Sequence, residues 1–203
     1  MIQLRPHQQN ALDAMLVHDK GQVIVPTGGG KTICMIKDAE KQLNTNPSTT
    51  VVVAPRILLA EQLCSEFLEI IDTSNTHIMH VHSGETEYFS STKPEKIHLF
   101  ANTARTAGEN VIIFTTYHSL SKVQSADIEV NNIYFDEAHN SVQRNFFPAT
   151  EFFAAESDRC YFFTATPKHS LTVMKPGMND AYVYGNVICN VPAPTLVEQG
   201  YIL

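Results

Sequence analysis

Six short stretches of nearly unbroken apolar residues constrain this chain most. They are Gln22–Pro26, Thr50–Ala54, His77–His82, Val111–Thr115, Ile133–Asp136 and Cys160–Thr164. Each has the length of a strand, and most are rich in Val, Ile, Phe and Tyr. A strand with one face in water alternates apolar and polar residues. These do not alternate, which marks strands of a parallel sheet covered on both faces. Helical patterns lie between them, at Lys31–Leu43, Ile57–Ile71, roughly Pro94–Ala107 and near Phe147–Glu156. Ile57, Leu58, Leu63, Phe67 and Ile70/Ile71 recur at three- and four-residue steps, as an amphipathic helix requires. Strand–helix alternation predicts an α/β fold with a central parallel sheet and helices on both faces. After Pro167 the pattern changes. Lys168–Asp180 has no periodicity, and Ala181–Val191 reads as a strand pair or an irregular return. Pro192 and Pro194 then open a short apolar tail that reads as a linker.

Composition narrows the class. The 203 residues suit one domain, and 43% are hydrophobic, enough for a sizeable core without disulfides or metal. The net charge of −7 argues against a polybasic nucleic-acid binder but leaves room for a local basic groove. The four cysteines, at 34, 64, 160 and 189, form no CxxC pair, and three sit inside apolar runs. Buried reduced thiols are the expectation. The first residues, MIQLRPHQQNALDAML, lack the apolar core of a signal peptide. No apolar run reaches the ~20 residues of a membrane span. The chain is therefore expected to be soluble, intracellular and cytoplasmic.

Two motifs carry chemistry. Pro26-Thr27-Gly28-Gly29-Gly30-Lys31-Thr32 follows a strand and opens a helix, the context of a phosphate-binding loop. Glycines let backbone N–H groups curl toward phosphate oxygens, and the helix N-terminus adds its positive dipole end. Lys31 would reach the β/γ-phosphates and the Thr32 hydroxyl would bind Mg²⁺. The strict pattern GxxxxGK[ST] fails at its first position, where Val25 stands. About a hundred residues later, Asp136-Glu137-Ala138-His139 closes the apolar run Ile133–Phe135. There Asp136 can hold Mg²⁺ through water and Glu137 can polarise an attacking water.

With these residues in place the chain resembles the first RecA-like motor domain of a superfamily-2 helicase or translocase. PTGGGKT resembles that superfamily's motif I, and Asp136–His139 its motif II. Thr164-Ala165-Thr166 resembles motif III, which links the nucleotide and nucleic-acid sites, with His139 in the same coupling role. Leu4-Arg5-Pro6-His7-Gln8 resembles the adenine-sensing Q motif, implying ATP contacts for Arg5 and Gln8. Ala54-Pro55-Arg56 with Gln62 resembles motif Ia. Ser83-Gly84 and Thr115-Thr116-Tyr117 resemble further nucleic-acid motifs. Pro55, Arg56, Ser83, Gly84, Thr116 and Tyr117 are the implied nucleic-acid contacts. The RPHQ start, PTGGGKT, APRILLAEQ and DEAHN resemble the branch of restriction-enzyme motors and phage or repair DNA helicases. The RNA-dependent DEAD-box branch would carry Asp where His139 stands.

The resemblance implies a P-loop ATPase that uses ATP and Mg²⁺ and acts on nucleic acid, DNA rather than RNA. It assigns residues 1–191 to an ATP-binding domain and 192–203 to the start of a linker into a second RecA-like domain. Motifs IV to VI, with the arginine finger, belong to that second domain, and nothing in 168–203 resembles them. The chain is expected to be a piece of a longer protein or a natural half-motor, and a monomer. Two other classes were weighed: a nucleotide- or DNA-binding regulatory module without turnover, and a small-molecule kinase. The kinase explains neither the Q-like start nor Thr164–Thr166. His77, His80 and His82 have no Cys or carboxylate close in sequence, so solvated or core-edge histidines are expected rather than a metal site. Phe146-Phe147 and Phe152-Phe153 are expected to pack rather than to stack on bases.

Overall fold

The structure is a computed structural model that describes residues 2–202. Eight strands form one sheet: β1 (Lys20–Ile24), β2 (Thr49–Ala54), β3 (Thr76–Val81), β4 (Phe89–Ser90), β5 (Asn110–Thr116), β6 (Asn132–Phe135), β7 (Arg159–Thr164) and β8 (Val187–Asn190). Their spatial order is β4-β3-β5-β2-β6-β7-β1-β8, and every neighbouring pair is parallel. The helices are α1 (Pro6–Val17), α2 (Lys31–Thr45), α3 (Ile57–Ile70), α4 (Pro94–Thr106), α5 (Leu120–Ser125), α6 (Phe147–Glu156), α7 (Ala181–Tyr184) and α8 (Ala193–Glu198). A 3-10 turn spans Ala138–Val142.

Burial on both faces explains the unbroken apolar runs. Val51, Val53, Ile113, Ile133, Phe135 and Phe162 point into one core, shared with Ile97 of α4, Val123 of α5 and Phe153 of α6. Their alternating neighbours Val52, Ala54, Ile112, Phe114, Tyr134 and Phe163 point into the other. That second core holds Met15 of α1, Met35 of α2 and Phe67 of α3. Each strand must therefore be apolar at successive positions. The six expected strands and four expected helices are present, with ends shifted by one or two residues.

Four differences have local causes. Residues 6–17, expected only as a motif, form α1. Pro6 sits in its first turn, and at position N3 the Gln8 side chain reaches back to accept the Arg5 N–H at 2.9 Å, one half of a capping box. The Ala181–Val191 region is one short helix and one strand rather than a strand pair. The Asp180 side chain accepts the Tyr182 N–H at the start of α7. Gly185, at φ 69°, turns the chain into β8. The linker-like segment folds back as α8, and its Leu196 is fully buried in the second core, beside Gly29 of the glycine loop. The short elements β4 and α5 had no periodicity to announce them.

A buried polar cluster fastens the end of the sheet opposite the motifs. Asp38 of α2 is fully buried and takes two hydrogen bonds from Arg159 of β7, each 2.8 Å. The Tyr134 hydroxyl donates to the same carboxylate. Arg159 also donates to the Met15 carbonyl at 2.9 Å, reaching α1. Breaking a buried pair strands one charge without water. Asp38→Ala is expected to destabilise the fold by about 3–5 kcal/mol, measured as a drop in the denaturant midpoint. A loss below about 1 kcal/mol, the range of exposed pairs, would mean that the pair behaves as a surface contact.

Candidate functional site

Because all strands run one way, the loops that leave their carboxyl ends gather along one edge of the sheet, where open α/β folds bind ligands. The glycine loop follows β1, Pro55-Arg56 follows β2 and Ser83-Gly84 follows β3. Thr116-Tyr117 closes β5, Asp136–His139 follows β6, and Thr164–Thr166 closes β7.

In the glycine loop, Gly28 and Gly30 take φ values of 84° and 78°, open to glycine at little cost. Gly29 is needed for space, since a Cβ there would stand 2.5 Å from Val25 Cγ1. Gly30 caps α2, so the unpaired N–H groups of the first turn and the helix dipole lie beside the loop. Lys31 is ion-paired with Glu137, and its Nζ lies 3.4 Å from Asp136 Oδ1. Thr27 is exposed on the turn and Thr32 is half-buried in the first turn of α2. Asp136 is 6% exposed, and its Oδ1 accepts no hydrogen bond. Burial pushes its pKa up, against the pull of Lys31. Glu137 adopts φ 49°, a left-handed conformation uncommon outside glycine, of the kind that strained functional positions hold.

The N-terminal segment lies on the glycine loop. Gln8 is buried; its Nε2 donates to the Gly30 carbonyl at 3.2 Å, and its Oε1 accepts the Arg5 N–H at 2.9 Å. His7 Nε2 meets the Gly29 carbonyl at 2.6 Å. The Arg5 guanidinium sits 4.8 Å above the Tyr201 ring, joining the chain's last residues to the site. The sequence reading did not single out His7 or Tyr201.

A second group joins motif II to motif III. His139 Nδ1 and Thr164 Oγ1 are 2.8 Å apart, and the Thr166 N–H donates to the same Oγ1 at 3.1 Å. Having taken the Thr166 N–H on one lone pair, Thr164 Oγ1 can give its own proton to His139 Nδ1 or accept one from it on the other, according to the ring's tautomer. The lowered pKa of His139, from burial and then from Lys168 and Lys31, agrees with a neutral ring.

Of the six expected nucleic-acid contacts, Pro55, Arg56, Ser83 and Thr116 line one groove with His82 and His118. Gly84 adjoins it, and a Cβ there would come within 2.6 Å of Ile57 Cγ2. Tyr117 does not reach the groove. It is buried beneath it, and its hydroxyl donates to the Asp136 carbonyl at 2.7 Å, bracing the carboxylate strand end. The phenylalanine pairs pack as expected, with Phe146, Phe147 and Phe153 on one core, although Phe152 remains partly exposed.

The histidine pair has a partner that sequence distance hides. Glu61 of α3 brings its Oε1 to 3.5 Å from His82 Nε2 and 3.7 Å from His80 Nδ1. These three donors could surround a cation. The hydrogen bonding argues otherwise. His82 Nδ1 accepts the Gly84 N–H at 3.1 Å, so its proton sits on Nε2, which then donates to His80 Nδ1 at 3.1 Å. The pair thus holds Gly84 in place, and its inward nitrogens are not free to ligate a cation. Among the described residues, the four cysteines are unbridged; Cys34, Cys64 and Cys160 are buried.

This fold and edge define a RecA-like nucleotide-binding domain of the helicase type. The chain matches, over residues 1–169, the family described as type III restriction enzyme, res subunit, and belongs to it. It is a helicase-type motor domain of that restriction-enzyme and helicase family. No curated protein matches it. Among solved structures it resembles a nuclease-deletion mutant of the Type ISP restriction-modification enzyme LlaGI in complex with a DNA substrate mimic. The TM-score is 0.82 at 23% identity, over 98% of this chain and 21% of that one. The ATP-dependent Type ISP restriction-modification enzyme LlaBIII bound to DNA gives 0.81 at 22% identity, over 98% and 16%. The Hef helicase domain of Pyrococcus furiosus gives 0.67 at 22% identity, over 96% and 40%. The chain thus spans less than half of each of these proteins. No described helix is long and apolar enough to cross a membrane.

Burial pushes the His80 pKa down from 6.5 to about 4, aided by its neighbour His82. The unfolded chain therefore takes up more protons than the folded one between those values. Stability is full above that window and falls as the pH drops through it. The urea midpoint of the unaltered chain is expected to fall between pH 7 and pH 5. It should fall less in His80→Gln, which starts lower but has no ring to protonate. Equal acid losses in both would place the sensitivity elsewhere.

Proposed function

We propose that this domain binds Mg-ATP at the sheet edge and, together with a second RecA-like domain, hydrolyses it to move along nucleic acid, DNA rather than RNA. The observation that carries the reading is Lys31 held between Asp136 and Glu137, beside a glycine loop that opens a helix. The residues fit the nucleotide. Left-handed Gly28 and Gly30 shape a backbone able to turn its N–H groups toward an anion. Asp136 offers a buried oxygen without a hydrogen-bond partner, and Lys31 supplies a mobile cation.

Each side chain then has a task. Thr27 and Gly28–Gly30 wrap the phosphates, and Lys31 leaves its carboxylates to neutralise the β/γ oxygens. The Thr32 hydroxyl and Asp136, the latter through water, would hold Mg²⁺. Glu137 accepts a proton from the attacking water. Mg-ATP supplies the electrophilic phosphorus and the metal charge that steadies the developing oxyanion. Gln8 has one amide hydrogen and one lone pair left for the adenine edge, and Arg5 lies beside it. His139, Thr164 and Thr166 pass the state of the site toward the groove of Arg56 and Ser83. The same reading assigns 1–191 to the ATP-binding domain and 192–203 to the start of the link to the second domain, in a monomer. LlaGI with its DNA substrate mimic and DNA-bound LlaBIII support DNA as the track.

Lys31→Ala removes the mobile cation and leaves Asp136 and Glu137 to repel the phosphates. Charge-assisted contacts of ~1.5–3 kcal/mol are lost, so fluorescent-nucleotide titration should show affinity weaker by about ten- to a hundredfold. An unchanged dissociation constant would remove the phosphate-loop reading. Glu137→Gln keeps the shape and a hydrogen-bond acceptor but loses the base. In a protein carrying both RecA-like domains it should bind Mg-ATP normally and hydrolyse it about 10²–10⁴-fold more slowly. Full steady-state turnover in that variant would assign the base elsewhere.

A further inference from the structure

The segment between Thr166 and α7 has no assigned role in the nucleotide site, yet it carries the three most exposed large apolar side chains among the described residues. Leu171, Val173 and Met174 are 101%, 102% and 94% exposed. A solvated loop gains nothing from three such side chains side by side, and an apolar patch of this kind marks a contact surface. The loop is also held open. Ser170 and Asn179 clasp its neck, the Ser170 N–H donating to Asn179 Oδ1 at 2.7 Å and Asn179 Nδ2 donating to the Ser170 carbonyl at 2.8 Å. The Met178 N–H donates to the Lys168 carbonyl at 2.6 Å, and the Met178 side chain is fully buried in the core. Gly177 permits the clasp, because a Cβ there would collide with the Ser170 backbone nitrogen. The neck is thus pinned to the body while the tip projects into solvent.

Charge and position say what meets the tip. Residues 168–179 carry Lys168, His169 and Lys175 and no acid, in a chain whose net charge is −7. Lys168, His169 and Lys175 are exposed. The acids beside the loop are Asp180, whose carboxylate is taken up by the Tyr182 N–H, and Glu151 of α6. The loop also lies near the grooves at the sheet edge. The groove of Arg56 and Ser83 shares Pro55 and His118 with a second groove lined by Asn140, Gln143, Arg144 and Asn145. Phe146 lines that second groove, and its chain neighbour Phe147 lines the depression that carries residues 170–180. Cations and amides, the side chains that contact phosphates and sugars, line these grooves, near an apolar tip with basic flanks.

We propose that residues 170–175 are a nucleic-acid contact that meets bases rather than phosphates. Leu171, Val173 and Met174 rest against the faces of an unpaired strand, with Lys168 and Lys175 on the flanking phosphates. An unpaired strand is the occupant because a duplex hides its base faces within the stack, whereas a single strand offers each one to an apolar partner. Where a duplex is met, the same side chains can enter only at a step that is opened. The inference rests on the DNA-motor reading above and extends its track beyond the motif residues.

The test compares DNA binding by the unaltered chain, the triple variant Leu171→Ser/Val173→Ser/Met174→Ser, the double variant Lys168→Ala/Lys175→Ala, and Arg56→Ala. The probe is a single-stranded oligonucleotide carrying 2-aminopurine, beside a blunt duplex, at low salt. All altered loop residues are exposed, so melting temperature and nucleotide affinity should stay those of the unaltered chain. The triple variant should bind single strands about tenfold more weakly, with an unchanged salt slope and no 2-aminopurine fluorescence change. The double variant should lose about 1–1.5 from the log–log salt slope. Duplex binding should fall less than single-strand binding in the triple variant. If Arg56→Ala weakens binding and the triple variant does not, the loop proposal alone is overturned. A triple variant that binds DNA normally but loses self-association would make the loop a protein contact, also overturning it. If neither the unaltered chain nor a protein carrying both RecA-like domains binds DNA, the motor reading fails and this inference with it.

Discussion

A single direction of strand travel organises the molecule. Parallel strands need crossovers, and the crossovers here are the helices that cover both faces of the sheet. Burial on both faces forces apolar residues at every strand position, so polar chemistry is expelled to the strand ends. Since all carboxyl ends lie along one edge, the glycine loop, Asp136, Thr164, Arg56 and Ser83 meet there although up to 136 positions separate them, from Gly28 to Thr164. The opposite end carries structural polarity instead, in the buried pair of Asp38 and Arg159.

Charge at the functional edge is arranged by burial as much as by number. Asp136 is nearly sealed and Glu137 half-buried, and Lys31 stands between them. Water is poor at screening there, so each charge acts mainly on its neighbour. The same logic lets an acidic chain present anion-binding surfaces. Backbone N–H groups of the glycine loop and the dipole of α2 are fixed partial charges that net composition does not count. The groove and loop then need only Arg56, Arg144, Lys168 and Lys175, set where acids are few.

Periodicity and loop chemistry made the sheet legible in the sequence. Unbroken Val, Ile and Phe runs locate strands because double burial leaves them no alternative, and the glycine loop is legible because positive φ and close approach both demand glycine. Pairings across the fold were not legible. Glu61 and His82 are 21 positions apart, and only the packing of α3 beside β3 reveals that they touch. Tyr117 looked like a surface contact because its neighbours are, but strand alternation turns it inward onto the Asp136 carbonyl. Helix α1 was hidden behind its own motif: Gln8, read for its chemistry, also makes one half of the capping box that starts the helix. The tail at 192–202 read as a linker because Pro192 and Pro194 interrupt it. Leu196 nevertheless finds a place in the core under the glycine loop.

The bond between His139 and Thr164 shows how two sites on this edge can sense each other. Thr164 Oγ1 accepts from the Thr166 N–H and is hydrogen-bonded to His139 Nδ1, so one hydroxyl fixes both the ring and the turn that follows β7. Lys31 touches the carboxylate next to that ring, and Lys168 stands two residues beyond the turn. On the proposed function, Lys31 would leave Glu137 for a phosphate, and Glu137 would lose its partner while its Oε2 lies 3.7 Å from His139 Nδ1. With its proton on Nδ1, the ring could donate to Thr164 or turn to donate to the carboxylate, but one N–H cannot serve both fully. Two discrete arrangements of a single side chain are the kind of element that coupling between sites requires. Here the second arrangement would release the turn from which the 170–175 loop departs.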